Sequence, residues 1–246
     1  MALSNASLAE YWGLLDEINK LSQQDFLALW RMVEGLPKEE AWPILSEGLA
    51  DIVGTYRGVS ADTAMLFYEE TQGLAFSNQA ALAAGEVPRD QLIANARWAF
   101  FNPQNLEVVG LLAGIVQKHV IDGSRQYALD GFASAGTGWY RAARPGACSF
   151  CRMLATRAAT EWGPYGSADA AATVGMGETS RPQVMNKGDQ FHANCMCIPV
   201  KASEYKVPDY VETWTAQYYE ATEAAKTSLD HRAILSEMRK ISGHSH

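Results

Sequence analysis

Residues 148–151 read Cys148-Ser-Phe-Cys151, and residues 192–197 read His192-Ala-Asn-Cys195-Met-Cys197. These two stretches hold all four cysteines of a 246-residue chain and one of its five histidines. On one helical turn Cys148 and Cys151, three apart, point the same way. On an extended segment Cys195 and Cys197, two apart, share a face. With His192 close by, the pattern offers five soft or borderline donors to an ion that takes four. Three readings fit it: a tetrahedral Zn2+ held by Cys148, Cys151, Cys195 and either His192 or Cys197; two disulfides; or four reduced thiols. Four cysteines allow three pairings, and spacing does not choose among them.

The surrounding residues explain why a staple is needed there. From about residue 139 to 208 the chain is rich in Gly and Pro and shows little periodicity, which predicts a loop-rich or small α+β module that buries little of itself. In zinc-finger peptides, metal closure of such a module contributes roughly 10–16 kcal/mol.

Outward from the module the pattern is helical. Leu8, Tyr11, Trp12, Leu15 and Ile18 form one apolar stripe. Ser22-Gln-Gln-Asp25 resembles a capping box and predicts a second helix through Val33, before Gly35 and Pro37 break it. A helix is expected from Lys38 to Tyr56, ended by Gly58, and another over 61–72 capped by Ser60. Residues 77–85 are ambiguous. A helix begins near Pro88, and a long one covers about 106–132. Beyond Asp209, Tyr210, Trp214 and Tyr218 mark a C-terminal helix reaching about Lys240. The fold class is therefore mainly α: a helical region over 1–138, a cysteine module over 139–208, and a C-terminal helix and tail over 209–246.

Composition narrows the function. Lys and Arg total 20 against 28 Asp and Glu, a formal net charge of -8, which opposes a general nucleic-acid coat. At 48% hydrophobic residues the chain is no disordered tail. The most apolar run, Leu106 to Val116, is too short to span a bilayer, and Met1 to Trp12 lacks a basic leader region, so a cytoplasmic product with no membrane partner is expected. Arg141, Arg144, Arg152 and Arg157 cluster around the first cysteine pair, as a contact for phosphate or a partner, or as a solvated and paired face. The Tyr210, Trp214, Tyr218 stripe fits either core packing or an anchor for a partner subunit. Catalytic signatures are missing: no G-x-S-x-G elbow, no H-E-x-x-H and no phosphate loop. His119 lies mid-helix, His231 in a polar helix, and His244 and His246 in the tail.

Arg144-Pro-Gly-Ala-Cys-Ser-Phe-Cys-Arg-Met-Leu-Ala-Thr-Arg157, Gly166-Ser-Ala-Asp169 and Phe191-His-Ala-Asn-Cys-Met-Cys197 together resemble the MuF-like minor head proteins of tailed phages. The likeness is closest to the actinobacteriophage "capsid maturation protease and MuF-like fusion" version. Tyr56-Arg-Gly-Val-Ser-Ala-Asp-Thr-Ala-Met-Leu-Phe-Tyr68 extends it into the helical part, and it covers about residues 1–225. One departure is Met196, where the family often carries Arg between the last two cysteines. The resemblance implies a minor capsid protein of the virion, assembled in host cytoplasm and present in few copies at the portal vertex or capsid interior. It implies contact with portal, major capsid protein or scaffold, and with packaged DNA, in head assembly or DNA delivery. It carries a rival reading as a capsid maturation protease that cleaves scaffold or capsid protein.

Overall fold

In the computed structural model, residues 3–75, 77–102, 107–166, 191, 194–227 and 230–243 are described. Helix α1 (Asn5–Val33) starts where the Ser4 hydroxyl accepts a hydrogen bond from the Ser7 N–H. It runs through Ser22 without a break. The Ser22 hydroxyl donates to the Asn19 carbonyl at 2.7 Å within the preceding turn, so it does not cap a new helix. Helix α2 (Lys38–Gln72) is likewise continuous across Gly58. That glycine serves packing instead: a Cβ on Gly85 would lie 3.1 Å from the Gly58 Cα, and helix α3 (Asn78–Gly85) settles there. Ser60 is buried, and its hydroxyl accepts from the Ser124 N–H at 3.3 Å. Helix α2 ends at Gly73, in the left-handed region at φ +63°.

Helices α4 (Arg89–Phe101) and α5 (Val108–Ser134) complete the helical part. Helix α5 lies against α2 most extensively, with α1 packed on both. Helices α2 and α5 approach closely at Gly123, where a Cβ would run into the Arg57 carbonyl oxygen. Gly110, in the first turns of the same helix, has nothing within 4 Å of a Cβ built on it.

Two short strands, β1 (Trp139–Ala142) and β2 (Ile198–Lys201), pair antiparallel with Trp139 opposite Lys201 and Ala142 opposite Ile198. Between them lie helix α6 (Ser149–Ala155) and a 3-10 turn over Thr156–Ala159. The C-terminal part is two helices, α7 (Asp209–Ala225) and α8 (His231–Ser242), not one. Lys226 turns the chain out of α7 with φ +53°, and the Asp230 carboxylate caps α8 by accepting from the Arg232 and Ala233 N–H groups. The fold is mainly α with a small cysteine-bearing sheet module. One continuous apolar core runs from Leu3 to Trp214 across helices and strands. A second cluster, built on Met153, Leu154, Tyr218, Ala221, Ile234 and Met238, joins α6 to α7 and α8.

Candidate metal centre

Cys148 stands at the N-cap of α6 and Cys151 one turn on, with the Arg152 N–H closing the turn on the Cys148 carbonyl at 2.9 Å. Cys195 and Cys197 arrive from the other segment, immediately before β2. Asn194 precedes them at φ +60°, a left-handed conformation that Asn tolerates better than most residues. Strand pairing of β1 with β2 brings the two segments together. The sulfurs of Cys151 and Cys195, 44 positions apart, lie 3.3 Å from each other. Those of Cys151, Cys195 and Cys197 all fall within 4.8 Å of one another, and all three residues are buried.

Three buried cysteines are thus close enough to hold a metal ion, and no disulfide joins any of the four. The donor set fits a thiophilic ion. Sulfurs about 2.3 Å from a tetrahedral centre stand about 3.8 Å from one another, comparable with the spacing seen here. A cavity of about 50 Å3, lined by all four cysteines with Arg144, Gly146, Ala147, Asn194 and Met196, leaves room for one ion. The Cys197 N–H donates to the Cys195 sulfur at 3.4 Å. Cys148 is half-buried and its sulfur interacts with Cys151. His192 lies outside the described residues.

The thiols oppose ionisation in one another's company. Hydrogen bonding with Cys148, then with Cys195 and Cys197, together with burial, pushes the Cys151 thiol up. Contact with Cys151 pulls Cys197 down, but Cys195 and burial outweigh it, and Cys197 is raised too. A bound cation reverses this preference, because a coordinating thiol gives up its proton.

The segment is clasped from outside by residues the sequence reading did not single out. Arg125 of α5, 1% exposed, donates from Nε to the Cys197 carbonyl at 3.0 Å and from Nη2 to the Cys195 carbonyl at 2.6 Å. The Trp12 indole N–H of α1 donates to the Met196 carbonyl at 3.1 Å. All three consecutive carbonyls are therefore held by bundle side chains. Tyr68 adds a hydrogen bond to the Pro199 carbonyl at 2.7 Å, and the Gln72 amide oxygen accepts from the Lys201 N–H at 2.6 Å. Burial works against the Arg125 charge, but Cys195 and then Asp122 outweigh it and hold the guanidinium above its ordinary value. The available signal was Asp122 and Arg125 at i, i+3, with Lys118 at i, i-4 to Asp122, on the core side of an otherwise apolar helix.

The four arginines near the first cysteine pair are engaged within the chain. Arg141, buried, lies over the Phe191 ring at 4.1 Å, and Arg125 lies over the same ring at 4.2 Å. Arg144 pairs with Asp16 at 2.6 Å. Arg152, buried, donates to the Ala147 carbonyl at 2.7 Å and lies over Trp214. Arg157 donates to the Gly163 carbonyl at 2.7 Å and lies over Tyr165. Of the aromatic stripe, Trp214 and Tyr218 are buried against the chain's own residues, and the Tyr210 hydroxyl donates to the Ala143 carbonyl at 3.0 Å.

A family model described as VG15 protein matches residues 2–221. The chain belongs to the VG15 protein family, a phage protein family. The VG15 match takes in all four cysteines together with Trp12, Tyr68 and Arg125, stops within α7 and leaves α8 outside. No curated protein and no solved structure matches the chain. Among the described residues, no helix is long and apolar enough to cross a membrane.

Proposed function

We propose that this chain is a minor capsid protein of the MuF-like kind, acting in phage head morphogenesis through a zinc-stapled module. The observation that carries the reading is the meeting of Cys151 with Cys195 and Cys197, which joins two distant segments at one buried point. Zn2+ is held by Cys148, Cys151, Cys195 and Cys197, with Cys148 the fourth ligand by virtue of its contact with Cys151. Closed, sulfur-only sites of this kind are structural, whereas catalytic zinc keeps an open position. When bound, the ion ties α6 to the start of β2. Arg125 and Arg141 set positive charge beside the thiolates.

The module gives the helical part a rigid end to present to portal, major capsid protein or scaffold. Arg144 and Arg157 are the members of the arginine group left partly at the surface for a partner or packaged DNA, which must compete with Asp16 for Arg144 and with the Gly163 carbonyl for Arg157. The protein resides at the portal vertex or in the capsid interior, in few copies. Quantitative mass spectrometry of purified procapsids and virions tests this: a few copies per particle, co-purifying with portal, are expected. Absence from both particles overturns the assignment. Incubation with the cognate scaffold leaves the scaffold intact; cleavage that disappears on a single substitution in this chain would establish the protease reading instead.

A further inference from the structure

A second concave site lies away from the cysteines. Among the described residues, a cleft of about 800 Å3 opens between α2, the α3–α4 corner and α5, with Phe191 on one wall. Arg57 from α2 and His119 from α5 line it, and they are only 6% and 1% exposed. The Arg57 Nη1 donates to the backbone carbonyl of His119 at 2.8 Å, and both side chains line the same cleft. Neither the Arg57 Nε nor the His119 Nε2 has a hydrogen-bond partner.

The nearby acid is already used. Asp122 gives one carboxylate oxygen to Arg125 at 2.8 Å and the other to Lys118 at 2.7 Å. Three cations, two buried and one nearly so, therefore share one carboxylate, and Arg57 feels Asp122 through space without an ion pair to it among the described residues, while Asp130, also on the cleft wall, accepts from Gln126. A buried guanidinium that shares one carboxylate with two other cations is under-compensated, and a buried donor without an acceptor is costly. Both deficits are met by one incoming anion. Burial, and then Lys118, pull His119 down to about 4, so at neutral pH it is an uncharged ring able to donate one N–H.

We propose that this cleft binds an oxyanion head group, a carboxylate or a phosphate monoester, carried on a compact apolar body, with the Arg57 Nε and His119 Nε2 as its donors. The volume lies in the range of small-molecule sites and far exceeds what a bare oxyanion fills. Val87, Pro88 and Leu129 supply apolar wall for the body. The exposed Glu86 and Asp90 at the mouth repel a polyanion, so the site selects a single head group and rejects nucleic acid.

The test uses the full chain with its metal, labelled at histidine nitrogens. Imidazole resonances are followed by NMR on titration with benzoate, phenyl phosphate and a short single-stranded oligodeoxynucleotide. A saturable shift of the His119 signals by benzoate or phenyl phosphate is expected, and the tighter binder of the two tells carboxylate from phosphate. Arg57→Gln weakens that binding about tenfold or more, the loss expected for one charged hydrogen bond, while Lys20→Gln on an exposed face of α1 leaves it unchanged. No saturable shift of His119 from either small anion in the wild-type protein overturns the proposal, as does tighter binding of the oligonucleotide at this site. The wild-type titration decides the matter even if Arg57→Gln does not fold.

Discussion

His119 sits in the middle of α5 with its ring among buried charges, and its burial sets how the fold answers to acid. Its folded value is held near 4, below the ordinary histidine value of about 6.5, by burial first and Lys118 second. Unfolded chains therefore bind this proton more readily than folded ones across that interval. The stability it contributes is complete above about pH 6.5 and is lost as pH falls toward about 4, by about 3 kcal/mol in all. Denaturant melts at pH 7 and pH 4.5 should show that fall in the wild type and a smaller one in His119→Gln. Equal slopes would remove His119 from the account. Gly123 offers a second residue-scale test. Gly123→Ala drives a methyl into the Arg57 carbonyl and should cost about 3 kcal/mol. Gly110→Ala, with open space around it, should gain up to about 1 kcal/mol from helix propensity. A thermal melt of the pair measures both signs. The sequence shows both glycines alike, because a close approach is a property of the neighbouring helix and not of the glycine's own surroundings in the chain.

At the scale of elements, α5 is the support on which the cysteine segment rests. Arg125 reaches from it to two carbonyls of that segment and to Asp122, and α1 supplies Trp12 to the carbonyl between. Arg125→Met leaves three buried acceptors short of a donor and should destabilise the fold by about 3–5 kcal/mol. It should also raise the rate at which Cys195 and Cys197 react with a thiol reagent. A loss under about 1 kcal/mol with unchanged reactivity would show that the clasp is incidental. Helix existence was legible in the long elements, where apolar residues at helical spacing mark a buried face, but not over residues 77–85, whose alanines left the pattern ambiguous and which form α3. Helix ends were not. Ser22 and Ser60 have the chemistry of caps, but one bonds back into its own helix and the other to α5. Gly58 has the chemistry of a stop but serves as a packing notch for α3. The C-terminal pattern hid a break at Lys226, which lacks the glycine signal that usually marks a left-handed turn. Local chemistry proposes each of these features and tertiary packing decides it.

The whole molecule is two thiol-bearing segments, distant along the chain, closed on each other beneath a helical frame. That closure was the most legible part of the candidate site, because Cys148, Cys151, Cys195 and Cys197 carry a spacing that few other demands produce. The carbonyl clasp and the Arg57–His119 cleft were not legible, because their residues come from helices far apart in sequence and have no shared motif. If the ion ties the segments, its removal should loosen the module before the helices. Chelator treatment should lower the melting midpoint and open the segments around Cys148–Cys151 and Cys195–Cys197 to proteolysis while α1, α2 and α5 stay protected against hydrogen exchange. The most direct test is zinc analysis with X-ray absorption on protein purified under reducing conditions without added metal. One equivalent of zinc, ringed by four sulfurs at about 2.3 Å, is the predicted result. Metal-free protein carrying four titratable thiols or two disulfides would contradict the account.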